Sequence, residues 1–85
     1  MPESKNNVSQ TIVEMINKVR TDSGRETVAA QESDGLTAEL GLDSLDLAVL
    51  VVSLEKAFGV DPFRDGSATA QTLGELVAVY EKAVS

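Results

Sequence analysis

The chain is predicted to be all-α, a small four-helix bundle of three main helices and one short one. Three observations carry that expectation. Apolar residues recur at helical spacing in three separate segments. Capping and stop residues stand at their ends. With 85 residues, 42% of them hydrophobic and 25% charged, the chain suits one soluble domain with a single small core. Residues 1–85 are therefore read as one domain, with residues 1–6 expected to be flexible.

In the first helix Val8, Ile12, Met15, Ile16 and Val19 share one face. Asn6 or Asn7 is the expected cap, and Lys18 and Arg20 suit the negative end of the helix dipole. Thr21-Asp22-Ser23-Gly24 ends it. Residues 21–43 then form a long polar connection with six acids and one base, longer than most connections in a compact domain. Val28, Leu36 and Leu40 are the residues expected to pin it to the core, and its acids are most simply a solvated surface.

The second helix is expected from Ser44 to about Phe58, with Asp43 or Ser44 as its cap and Gly59 as its stop. At 100° per residue, Leu47, Leu50, Val51, Leu54 and Phe58 form the core face. Leu45, Ala48, Val49 and Val52 fall opposite, where a surface helix normally carries polar residues. Two readings stand for that second face: it packs under the long loop, or it is a docking strip for partners. Residues 60–67 form a turn-rich connector with room for the short helix. Thr72 and Glu75 fit a capping box. They open the last helix, whose Leu73, Leu76, Val77, Tyr80 and Val84 share a face.

Composition excludes several kinds of function. Fourteen acids against seven bases give a net charge of −7, and His, Cys and Trp are all absent. There is accordingly no disulfide, thiolate ligand or imidazole base. No catalytic residue is assigned, and a self-contained enzyme is not expected. The acidic balance argues against a nucleic-acid surface. Asp61, Asp65 and Gly66 hint at a calcium loop, but Phe63 would occupy its third position and Thr72 its twelfth, where oxygen ligands and a Glu are required, so no metal site is assigned. The polar start, Met-Pro-Glu-Ser-Lys-Asn-Asn, lacks the pattern of a signal peptide. The longest apolar run, Leu47 to Val52, is far short of the ~20 residues of a membrane span. A cytoplasmic monomer, independent of membranes, is the expectation.

The most informative stretch is Leu40-Gly41-Leu42-Asp43-Ser44-Leu45-Asp46-Leu47, followed by the apolar helix that ends Leu54-Glu55-Lys56-Ala57-Phe58-Gly59-Val60. It resembles the phosphopantetheine attachment site of acyl carrier proteins, with Asp-Ser-Leu heading the second helix, and the resemblance runs through nearly the whole chain. It implies an acyl-carrier-like bundle in which a phosphopantetheinyl transferase moves the 4′-phosphopantetheine arm of coenzyme A onto Ser44. The thiol of that arm would carry the cargo as a thioester, so the missing Cys is supplied from outside. The residues themselves agree: a hydroxyl at a helix N-terminus is presented outward, and the dipole there tolerates a phosphodiester. No base in the chain could make Ser44 a nucleophile in its own right. As structure alone, Asp43-Ser44 is also an ordinary helix cap, and both readings can hold together.

By the same resemblance, Asp43 and Leu45 help the transferase recognise the site, and Asp43, Leu45, Asp46, Ala48, Val49 and Val52 form the partner surface. Leu50, Leu54, Val60, Phe63 and Tyr80 are candidates for lining an acyl pocket. The implied partners are the transferase, acyl- or aminoacyl-activating enzymes, and ketosynthases or other acyltransferases. The chain departs from carriers of fatty acid synthesis in three ways. Val49 stands where that class typically has Glu, the 61–71 connector is rich in small residues rather than acidic, and the 21–43 loop is a few residues longer. The first departure shifts partner choice from charge toward apolar contact. It favours a discrete carrier of a polyketide, nonribosomal peptide or other specialised pathway, while the second departure implies a looser or shallower wall for any acyl cavity. An aminoacyl or peptidyl carrier is the near alternative, an unmodified helical adaptor a more distant one, and a small hydrolase the least supported.

Overall fold

A computed structural model describes residues 4–64 and 70–84, with side chains described from residue 8 onward. It contains α1 (Ser4–Asp22), α2 (Ser44–Phe58) and α3 (Leu73–Val84), and no strand among the described residues. The short fourth helix is not seen there: residues 62–64 form only a turn, and residues 65–69 of the connector lie outside the described residues.

α1 begins earlier than its sequence suggests. Ser4 to Asn6 form its first turn, so neither Asn6 nor Asn7 is its cap, and of the segment expected to be flexible residues 1–3 lie outside the described residues. The physical reason is that nothing between Pro2 and Val8 breaks a helix, since Asn inside one costs only a fraction of a kcal/mol. α1 ends where expected, with Gly24 left-handed at φ 85. α2 has the expected limits, with Gly59 as its C-cap and the Gly59 N–H donating to the Glu55 carbonyl at 2.7 Å. At the start of α3, the Glu75 N–H donates to Thr72 Oγ1 at 3.2 Å, and Glu75 Oε1 accepts from the Thr72 and Gln71 N–H groups.

The three helices share one core. Val8, Ile12, Ile16 and Val19 of α1 meet Leu50 and Leu54 of α2 and Leu73, Leu76, Val77 and Tyr80 of α3. Each large side chain buried in this way is worth about 1.5–3 kcal/mol relative to exposure. Val84, expected on the buried face of α3, is 38% exposed and ends the helix. α1 packs against both other helices, which meet each other much less closely.

The long loop is folded over this core. Leu36, Leu40 and Leu42 are buried and Val28 packs at the margin. The Asn17 side chain brackets Val28, donating to its carbonyl at 3.2 Å and accepting from its N–H at 2.8 Å. Further on, the loop runs beside the start of α3. There the Leu73 and Gly74 N–H groups, which a helix cannot satisfy internally, donate to the Asp34 and Glu32 carbonyls, each at 2.9 Å. A Cβ at residue 74 would stand 3.1 Å from the Glu32 carbonyl oxygen, so glycine is what allows this close approach. No helix among the described residues is long and apolar enough to cross a membrane.

Candidate functional site

The site is built around the first turn of α2. Asp43 is the N-cap: its Oδ1 accepts from the Asp46 N–H at 2.8 Å, while its own N–H donates to Asp46 Oδ2 at 3.2 Å. This reciprocal capping makes Ser44 the first helical residue. Ser44 is exposed, and its hydroxyl makes no hydrogen bond among the described residues.

The turn before it is tied down from two sides. Backbone bonds run from Leu40 N–H to the Gly35 carbonyl, from Gly41 N–H to Thr37 and from Leu42 N–H to Leu36, while the Leu40 and Leu42 side chains anchor in the core. The outward carbonyls are taken by two arginines. Arg20 donates to the Leu40 carbonyl at 2.5 Å and to the Glu26 carbonyl at 2.8 Å. Arg25 donates through Nη1 to the Gly41 carbonyl and through Nη2 to Asp46 Oδ2 at 2.6 Å. Gly41 lies at φ 73, a conformation that strains any residue with a Cβ, and faces both guanidinium groups.

Asp46 therefore does not join the partner surface expected of it. It is buried, and its carboxyl is held below the usual carboxylate range, chiefly by the Asp43 N–H and then by Arg25. The physical reason is local, because an acid at the third helical position turns back toward the cap rather than out to solvent. The other strip residues do share one open face. Leu45 is 72% exposed, Val49 47% and Val52 51%, and Ala48 lies beside them. Of the two readings of this face, burial under the loop is thus excluded. A groove of about 370 Å³ runs along it, ending at Ser53 and Lys56. Glu55, at its margin, pairs with Arg64 at 3.7 Å.

A partly open hollow of about 140 Å³ lies between α2, α3, the long loop and the connector. Two of the pocket candidates, Leu50 and Phe63, line it, together with Leu36, Leu47, Val51, Ala70 and Leu76. Of the other pocket candidates, Leu54 and Tyr80 are sealed in the core and Val60 packs at its edge. At ~30 Å³ per water, the hollow equals only about four or five water volumes. A larger, more polar hollow of about 470 Å³ adjoins it, between residues 33–39 and 70–72.

This geometry can be set beside known proteins. The family model described as "Phosphopantetheine attachment site" matches residues 14–79, a stretch that contains Ser44. The chain belongs to the acyl carrier protein family. It is 34% identical to an acyl carrier protein of Sinorhizobium fredii over 73 residues, covering 85% of this chain and 94% of the relative. The same figures hold for the acyl carrier protein AcpP of Rhizobium meliloti. No solved structure matches.

As an acyl carrier protein it is a carrier rather than a catalyst, and its cofactor is a covalently attached 4′-phosphopantetheine. The first turn of α2 fits such a group: it offers an exposed, unengaged hydroxyl at a helix N-terminus whose Ser44 and Leu45 N–H groups have no partner inside the helix. When bound, the arm supplies a thiol on which an acyl group is held as a thioester. The residues that sequence reasoning missed are Arg20 and Arg25. Arg25 does leave a signal, as the one base in a connection with six acids.

Proposed function

We propose that Ser44 bears the phosphopantetheine arm and that the protein is a discrete carrier passing acyl intermediates between enzymes of a polyketide or other specialised pathway. The observation that carries this reading is the exposed Ser44 hydroxyl at the head of α2, directly above an open apolar strip. In the loading step, Ser44 Oγ forms a bond to the pantetheine-bearing phosphorus of coenzyme A. The bond from that phosphorus to the adenosine 3′,5′-bisphosphate breaks, and the serine proton passes to a base on the transferase. Nothing in the chain itself activates the hydroxyl; its contribution is presentation.

The specialised pathway is supported by the character of the strip. Asp46 is turned inward to Arg25 and Glu55 is paired with Arg64, so Leu45, Ala48, Val49 and Val52 meet partners without a line of acids. Partner enzymes, the transferase and acyl-handling ketosynthases or acyltransferases among them, would then be recognised mainly by apolar contact. The same reading takes the protein to be a cytoplasmic monomer.

The test is the intact mass after incubation with coenzyme A and a promiscuous phosphopantetheinyl transferase, with Ser44→Ala as control. One added phosphopantetheine in the wild type alone is the expected result. No addition to a folded, initially unmodified sample would overturn the attachment reading. Loading assays on the modified protein with acyl- and aminoacyl-activating enzymes then decide the cargo class, and aminoacylation alone would overturn the acyl assignment.

A further inference from the structure

The two arginines do more than fill loop carbonyls, and Arg25 in particular brackets Ser44. One end of its guanidinium holds the Gly41 carbonyl, three residues before the serine; the other holds the Asp46 carboxylate, two residues after it. The same Asp46 oxygen accepts the Asp43 N–H, so Arg25 grips the capping box that defines the helix start. The third donor, Nε, reaches Ser23 Oγ at 3.0 Å. Ser23 Oγ in turn donates to the Val19 and Arg20 carbonyls, and the Arg25 N–H bonds the Arg20 carbonyl at 2.8 Å. The guanidinium is therefore fixed to the end of α1, and its side chain is only 31% exposed.

We propose that Arg25 is a positioning residue for phosphopantetheine attachment, a strap that holds the 41–46 turn so that Ser44 stays in the geometry a transferase can use. The proposal rests on Ser44 being the attachment point. All three kinds of guanidinium nitrogen are used, on three acceptors in fixed directions, and an ammonium group cannot reproduce that fork. Charge and geometry are thereby separable: if Arg25 acted only as a positive charge near the site, lysine would serve as well. Of the apolar strip, Leu45 alone lies within the 41–46 turn, while Val49 and Val52 stand further along α2, so slackening the strap should change how well Ser44 reacts more than how well the carrier docks.

The experiment measures kcat and KM for the apo carrier as substrate of the transferase, with coenzyme A saturating, for wild type, Arg25→Ala, Arg25→Lys and Ser23→Ala. Because small misplacements of a reacting group can cost up to about 100-fold in rate, kcat should fall about tenfold or more in both Arg25 variants, with KM within twofold of wild type. Ser23→Ala removes only the anchor of Nε and should give a smaller fall in kcat; it keeps the test open should an Arg25 variant fold poorly. As a readout independent of the transferase, amide hydrogen exchange should quicken at Asp43, Asp46 and Leu47, whose N–H groups are bonded within the capping turn, and stay unchanged in the rest of α2. Wild-type kcat in Arg25→Ala, full rescue by Arg25→Lys, or a change confined to KM would each overturn the proposal. A wild type that is not modified would instead overturn the attachment reading on which the proposal stands, so the two failures are distinguishable.

Discussion

Replacing Tyr80 by phenylalanine should make the protein more stable. Tyr80 is completely buried, with its ring 5.6 Å from that of Phe58 and 5.9 Å from that of Phe63, centre to centre. Its hydroxyl is buried as well and has no hydrogen-bond partner among the described residues. Leaving such a group unsatisfied costs about 1–3 kcal/mol. Phenylalanine keeps both ring contacts and removes only the orphaned oxygen, so the gain should be about 1 kcal/mol. For a domain of this size that corresponds to a rise of roughly 4–8 °C in Tm. The same hydroxyl makes a pH signature. Burial, and then the negative charges of Asp61 and Glu55, push its pKa from 10.0 up to about 12. The folded state thus holds this proton more tightly than the unfolded chain does. Its contribution is complete below pH 10 and is withdrawn as pH rises toward 12, whereas phenylalanine has no proton to lose. Thermal melts of the two proteins by circular dichroism, at neutral pH and at about pH 11, should show the Tyr80→Phe variant ahead at both and further ahead at the higher pH. A variant that melts several degrees below wild type at neutral pH would refute the reasoning, because it would mean that the hydroxyl has a partner worth keeping.

Two other outcomes follow from the site. Asp46 carries a lowered pKa through the Asp43 N–H and Arg25, so its stabilisation is present above the ordinary carboxylate value of 3.8 and lost as pH falls through its folded value. Asp46→Asn should therefore flatten the acid side of a stability-against-pH curve, and an unchanged acid limb in urea melts would count against it. Leu45→Ala and Val49→Ala remove side chains that are 72% and 47% exposed, so their stability should stay within about 0.5 kcal/mol of wild type. Their KM as transferase substrates should nevertheless rise; equal KM values would show that the strip is not a docking surface.

What can be read from the sequence divides along a physical line. Asp43, Gly59 and the Thr72–Glu75 pair act on backbone within a few residues of themselves, so the limits of α2 and the start of α3 are legible. The same holds for the two apolar faces of α2, which follow from periodicity. Arg20, Arg25 and Leu42 act across the fold: the partners of Arg25 at Gly41 and Asp46 are 16 and 21 residues away. No local pattern announces such a contact. Asp46 is a different case: its turn back to the Asp43 N–H is a local capping box, legible in principle, and only its grip by Arg25 is not. Tyr80 shows a related limit. Its place on the apolar stripe is clear, but that it is sealed in the core rather than lining the hollow depends on how Phe58 and Phe63 close over it.

The arrangement of α1 at the centre, with α2 and α3 each packed on it and little contact between themselves, separates two mechanical duties. The inner hollow lies along the α2–α3 seam, whereas the arginine strap runs from the end of α1 to the head of α2. A seam can be wedged apart like the covers of a book without loosening the spine. A guest forced between α2 and α3 would strain α3 and the connector. It would also press on Leu36 and Leu47, which are hydrogen-bonded to Leu42 and Asp43, so part of the load would reach the 41–46 turn, where the strap resists it. The strap then holds the head of α2 in place while the seam beside it gives.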